Sequence, residues 1–234
     1  MKSLFILIAL ALTSLVAAHA QAKPLAYIYF GPGICDGCQT DLADIIKDAG
    51  FKILPVYPGQ LTPEFLAKAA LLAVPGGDLE ATVYNSLKTG EAENIKQFVE
   101  NGGRYLGVCL GAYLAAPKRS SLPGIDVFSG FIYAHSRNTL ARMENITWKD
   151  KKTRWVYFQD GPEFEPAEGS KTEVWANYDD GSIAALQQAL GKGKVGLMGP
   201  HLEADSYWWK DDGLVDPDGE DADLLVQFVK ALAK

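Results

Sequence analysis

Residues 101–115 read NGGRYLGVCLGAYLA. A glycine pair closes one segment, Arg104 to Val108 form a short apolar run, and Leu110 opens a second run with helical spacing. Cys109 stands between the two runs, with Gly107 and Gly111 two residues to either side. A strand turning into a helix in the frame G-x-C-x-G has the pattern of a nucleophile elbow, which exposes one reactive side chain at the strand's carboxyl end. The glycines are needed because the turn is crowded and its backbone strained. The helix start adds unpaired N–H groups and a positive dipole end, both of which favour a negatively charged sulfur. The N–H of Leu110 is then placed to donate to an oxyanion.

The segments on either side set the fold class. "LAYIYF" (25–30) predicts a strand and "QTDLADIIKDAG" (39–50) a helix that stops at glycine. "FKILPVY" (51–57) is a second strand. "TPEFLAKA" (62–69) opens a helix with Thr62 as N-cap and Pro63 in the first turn. "ALLAVPGGD" (70–78) is a buried strand entering a glycine pair, and "EAENIKQFVENGG" (91–103) is a helix. Four strand–helix alternations predict an α/β fold, a mostly parallel flavodoxin-like sheet flanked by helices. The second half reads differently. "DVFSGFIYA", "ENITWKDKKTRWVYFQ" and "TEVWANYDDGSIAALQQALGKGKVGLMG" predict antiparallel strand additions joined by Gly- and Asp-containing turns. "DADLLVQFVKALAK" predicts a final helix.

Lys2, the apolar stretch Leu4–Ala17 and the small residues "AHA" before Gln21 read as a secretory signal peptide over 1–20. Residues 21–234 are then one domain, periplasmic or secreted, with no membrane attachment after cleavage. The chain carries 22 Lys+Arg against 29 Asp+Glu, a formal net charge of −7. With no clustered basic stripe, this balance argues against nucleic acid as a partner. A small-molecule substrate or ligand is expected instead, and no cofactor or metal is expected. Three cysteines are too few for a disulfide scaffold, but export makes thiol state relevant.

A cysteine nucleophile needs a base and a group that orients it. Outside the signal peptide the chain has two histidines, His135 and His201. His201 follows an apolar strand in "VGLMGPHLEA", and Glu203 lies two residues on. Residues two apart in extended chain point to one side, so Glu203 is placed to hold the imidazole. Gly76 and Gly77 of "VPGGD", at another strand end, are candidates for a second oxyanion donor. Singly, each residue has a plainer reading: a cysteine after an apolar run is commonly a small buried hydrophobe, and a loop histidine is commonly polar surface. Their common position at strand carboxyl ends, where open α/β sheets build sites, favours a Cys109–His201–Glu203 triad.

G-V-C-L-G, followed some ninety residues later by G-P-H-L-E, resembles the class I glutamine amidotransferase-like superfamily. "YFGPG", "LLAVPGGD", "GGRYLGVCLGAYLA", "RWVYFQDGPEF" and "SYWWKDDGLVDPDGEDADLL" resemble more closely the N-terminal domain of eukaryotic biotin-protein ligase and its exported bacterial relatives. The resemblance implies Cys109 as nucleophile, His201 as base and Glu203 as orienter. It implies no biotin ligase activity, since the chain is too short to add that catalytic domain. Tyr113 follows Gly111-Ala112, where glutaminases of the superfamily usually carry Gln, so glutamine is not implied as substrate.

"CDGC" places Cys35 and Cys38 after the first strand and at a helix start. The pair reads as a structural disulfide, as a redox pair, or as free thiols. The expected function is a cysteine-dependent, glutaminase-like hydrolase acting on a small amide or ester through a thioester. The alternatives are a non-catalytic domain that retains the pocket, and a thiol–disulfide protein using Cys35 and Cys38. The export reading predicts that secreted or periplasmic protein begins at or near Gln21. N-terminal sequencing checks this, and a start at Met1 in a membrane fraction would mean an anchor.

Overall fold

The computed structural model of the chain describes residues 22–118 and 123–234. The expected signal peptide lies outside the described residues.

Five strands make the parallel part of the sheet: β1 (Leu25–Tyr29), β2 (Lys52–Val56), β3 (Leu71–Val74), β4 (Arg104–Val108) and β11 (Gly193–Met198), in the order β2-β1-β3-β4-β11. Successive strand residues point to opposite faces, and here both faces are covered. Ala26 and Ile28 join one apolar cluster, while Tyr27 and Tyr29 join the other. The first face is roofed by α1 (Cys38–Asp48) and α7 (Ala222–Leu232), through Leu42, Ile45, Ile46, Leu225 and Phe228. The second face carries α2 (Pro63–Leu66), α3 (Glu80–Ser86), α4 (Glu91–Glu100) and α5 (Leu110–Leu114). This double burial is why the strand sequences are continuous apolar runs rather than alternating ones. Pro55 sits in β2, the edge strand, where its missing N–H leaves no ladder bond unmade. Thr62 caps α2, its hydroxyl accepting from the Phe65 N–H at 3.2 Å, with Pro63 at the first helical position.

The sheet continues antiparallel from β11 through β10 (Ile183–Leu190), β9 (Thr172–Tyr178), β6 (Arg142–Trp148) and β7 (Thr153–Phe158). A branch of β5 (Gly130–Ala134) and β8 (Pro162–Pro166) joins it at β10. One expectation changes here. β11 lies in the segment read as antiparallel, and it does run antiparallel to β10. It is nonetheless parallel to β4, with Val195 opposite Tyr105, and completes the parallel core. α3, β8 and α6 (Ser206–Asp211) were not read from the sequence. They are five to seven residues long, too short to display a period. The antiparallel wing is joined to the helical layer by aromatic contacts. Trp175 packs edge-on against Trp148 and against Phe228 of α7, at centroid separations of 5.6 and 5.2 Å.

The parallel core is packed backbone to backbone at the elbow. A Cβ on Gly111 would meet the carbonyl of Val74, and one on Gly107 would meet the carbonyl of Gly111. β3, β4 and α5 therefore approach each other with backbone against backbone, and Tyr105 completes the contact by donating its hydroxyl to the Gly111 carbonyl at 2.7 Å. Since neighbouring backbone cannot yield as a side chain can, Gly111→Ala is expected to destabilise the protein by about 1–3 kcal/mol. Urea unfolding should show a lower midpoint at unchanged slope.

Candidate active site

The carboxyl ends of β3, β4 and β11 meet at one edge of the sheet. Cys109 directly follows β4, its N–H bonded to the Met198 carbonyl at the end of β11 (2.8 Å). Its backbone lies at φ 48°, ψ −108°. That conformation is costly for a residue with a Cβ, roughly 1–3 kcal/mol, and a cysteine serving only as a small core side chain would not require it. The thiol lies 3.7 Å from the carbonyl oxygen of Gln159, and only 6% of the residue is exposed.

His201 follows β11 by three residues. Its N–H bonds to the Tyr157 carbonyl (2.9 Å), and its Nδ1 lies 2.8 Å from Glu203 Oε1. Both side chains are buried. The ring sits between aromatic walls, with Tyr157 edge-on at 5.9 Å and Trp208 of α6 tilted at 5.2 Å between centroids. Its floor is Gly76, where any Cβ would collide with the imidazole. Cys109 lines the same cleft as the ring. Burial pulls the imidazole towards its neutral form. The Glu203 carboxylate and the Cys109 sulfur outweigh burial and push its pKa up to about 10. The second Glu203 oxygen, Oε2, is buried without a hydrogen-bond partner.

Of the residues read as oxyanion donors, Gly77 and Leu110 have amides with no hydrogen-bond acceptor among the described residues. The Leu110 N–H is the first of α5. Gly76 has another part, making room for His201, and its carbonyl accepts from the Cys35 N–H at 3.3 Å. Gly77, Cys109 and His201 line a cleft of about 300 Å³, together with Cys35, Asp78, Thr139, Gln159, Asp160 and Trp208. A larger cleft of about 430 Å³, bordered by Phe51, Leu66, Phe98 and Arg104, lies at the amino ends of the strands, away from this chemistry.

Cys35 and Cys38 lie with their sulfurs in contact and their Cα atoms 5.5 Å apart, at the cleft rim and the first residue of α1. The other histidine stands apart from the triad. His135 Nδ1 bonds to Glu163 Oε2 (2.9 Å), and its ring stacks on Tyr178 with centroids 3.6 Å apart. With Asp180 these residues hold three donor atoms within 4.8 Å, the geometry a cation would use. The imidazole is already partnered by the carboxylate.

Tyr157, Gln159, Asp160 and Trp208 escaped the sequence reading. Tyr157 reaches the site through an isolated bridge to His201, and Trp208 through a six-residue helix capped by Asp205, whose side chain accepts from the Tyr207 N–H at 2.8 Å. The Asp205-Ser206 pair was a signal for that helix start. Tyr113, the departure at the elbow, is half-buried on α5, and burial drives its hydroxyl pKa far up, keeping the phenol neutral.

Residues 26–120 match the family described as "Biotin-protein ligase, N terminal". The chain is 32% identical over 159 residues to an uncharacterized protein of Chlamydia muridarum, covering 57% of this chain and 60% of that one. It thus spans less than two thirds of that relative. It is 25% identical over 160 residues to the imidazole glycerol phosphate synthase subunit HisH of a Synechococcus strain, covering 62% and 74% of the two chains. A crystal structure of a glutamine amidotransferase superposes with a TM-score of 0.64 over 89% of this chain and 98% of that one, at 20% identity, a likeness of fold.

The raised pKa gives His201 a testable pH signature. Its folded value, about 10, exceeds the 6.5 of an unperturbed imidazole. Protonated His201 therefore contributes stability in full below about pH 6.5 and loses it as pH climbs towards 10. Imidazole nitrogen shifts in NMR should show no titration of this ring between pH 6 and 8. Glu203→Gln, which removes one of the charges raising the pKa, should move the midpoint down.

Proposed function

We propose that the chain, which matches the biotin-protein ligase N-terminal family over residues 26–120 and has a class I glutamine amidotransferase-like fold, is an exported Cys-His-Glu hydrolase acting on a small amide or ester. The observation carrying this reading is the strained Cys109 backbone in one cleft with a buried His201 that Glu203 holds at Nδ1.

In the proposed reaction, Cys109 as thiolate attacks the substrate carbonyl carbon. The carbonyl π pair moves to oxygen, and the oxyanion faces the N–H groups of Leu110 and Gly77. His201 starts as imidazolium, which suits a thiolate partner, and gives its Nε2 proton to the leaving amine or alcohol as the C–N or C–O bond breaks. The product is a thioester on Cys109. Neutral His201 then takes a proton from water, whose oxygen attacks the thioester. The acid leaves, and the thiolate–imidazolium pair is restored. Glu203 stabilises the imidazolium and fixes the ring, as the acid of a serine-protease triad does. The cleft volume suits a small acyl group. Trp208 and Tyr157 keep bulk water from the imidazole, which strengthens every charge interaction within.

Tyr113 supports a second reading, in which the pocket binds a ligand without turning it over. It occupies the elbow position where glutaminases usually carry Gln.

Mass spectrometry of intact protein incubated with small amides and esters separates the two. The expected result is an acyl adduct on Cys109 that decays with time. Glu203→Gln should slow its formation by several orders of magnitude, about 10⁴ by analogy with amidating the acid of a protease triad. Absence of any adduct in the wild type, with Cys109 reactivity unmoved by Glu203→Gln, would leave ligand binding as the function.

A further inference from the structure

The CDGC segment has no part in the reaction above, yet it forms one wall of the cleft. The chain from Gly33 to Cys35 is docked on the Gly76–Asp78 loop as a miniature antiparallel pair. The Cys35 N–H donates to the Gly76 carbonyl (3.3 Å), the Asp78 N–H donates to the Gly33 carbonyl (3.0 Å), and Ile34 bridges Gly77. The fit depends on Gly77 having no side chain, since a Cβ there would strike the Gly33 carbonyl. Gly77 is thus held from one side by the 33–35 segment, leaving its amide without an acceptor.

Asp36 and Gly37 lie between Cys35 and α1, and Gly37 takes a left-handed φ of 88°. No side chain caps α1 at this end. The firm attachment is the contact between the two sulfurs, which ties Cys35 to Cys38, a fully buried residue in the first turn of an eleven-residue helix. The same helix reaches the far wall of the site. Asp41, one turn on, accepts from Trp208 Nε1 at 2.8 Å, and Trp208 packs on the His201 ring.

We infer that Cys35 and Cys38 form a disulfide that positions the Gly77 amide as an oxyanion donor, so that the cleft is competent for acyl transfer only when this pair is oxidised. The inference rests on the hydrolase reading. Cys35, Cys38 and Gly77 are positioning elements, and Cys109 remains the nucleophile. Reduction by a dithiol such as dithiothreitol transfers two electrons and two protons to the pair, giving two thiols and the cyclic disulfide of the reagent. With the cross-link gone, the 33–35 segment keeps its backbone bonds to Gly76 and Asp78 and the packing of Ile34 on the apolar cluster, but loses its covalent tie to α1, and the Gly77 amide loses its fixed direction. An oxidising compartment keeps the pair closed.

Two reagents for Cys109 separate positioning from general damage. Acylation by p-nitrophenyl acetate passes through an oxyanion and needs the donors. Alkylation by iodoacetamide is a displacement that forms none. Full-length protein is assayed oxidised, reduced and freed of reductant under anaerobic conditions, and then reoxidised with oxidised glutathione. The Cys35→Ser/Cys38→Ser variant is assayed in parallel. Expected is acylation slower by roughly 10²-fold in the reduced protein and the variant, the scale of losing one oxyanion donor. Alkylation should stay at the oxidised rate, and acylation should recover on reoxidation. Equal acylation in oxidised and reduced protein overturns the inference and leaves the hydrolase reading standing. So does an intact mass showing free thiols at Cys35 and Cys38 in the air-oxidised protein. Parallel loss of both reactions on reduction also overturns it, since that is collapse of the whole site. If the oxidised wild type is not acylated at all, the hydrolase reading falls and this inference falls with it.

Discussion

The structure depends on one close approach of backbone to backbone. Gly111 lies against the Val74 carbonyl, and Gly107 lies against Gly111. No residue with a side chain can occupy those positions without pushing α5 off the sheet. With α5 seated this closely, the turn between β4 and α5 has a single residue in which to reverse, and Cys109 takes φ 48° as a result. The strain is supported by the bonds around it: the Cys109 N–H to Met198, and the Ala112 and Tyr113 N–H groups to the Cys109 carbonyl at 2.9 and 3.1 Å. The Cys109 side chain is buried just past the strand end, where it also borders the cleft.

The chemistry beside it follows from burial. An imidazole and a carboxylate, both nearly inaccessible, would each lose solvation without gain if alone. Paired at 2.8 Å and set beside a sulfur, they favour the charged imidazole instead. Glu203 Oε2 is buried without a hydrogen-bond partner among the described residues.

The antiparallel wing extends the sheet and also walls the site. β7 ends at Phe158, so the next residues, Gln159 and Asp160, project over the cleft beside Cys109. Tyr157, still in β7, bridges to His201, and its hydroxyl donates to Asp212 at 2.6 Å, just past the end of α6. Wing, helix and elbow are therefore coupled through one imidazole, and the walls of the cleft come from parts of the chain separated by more than a hundred residues.

The elements legible in the sequence are those whose cause is local. The G-x-C-x-G frame, the Thr62-Pro63 helix start and the two-residue spacing of His201 and Glu203 each express a constraint within a few residues, and all appear at those positions in the structure. The continuous apolar runs announced a parallel sheet because strands covered on both faces must be apolar throughout. The pairing of β11 with β4 was not legible, since the side-chain pattern of a strand is the same whichever way its neighbour runs. Gly76 and Gly77 looked equivalent in "VPGGD". Only the folded chain separates them, by setting the His201 ring on one and the 33–35 segment on the other. Tyr157 and Trp208 carry no motif, and their place around His201 is decided by which distant surfaces bury one another, a property of the assembled core that no short stretch of sequence contains.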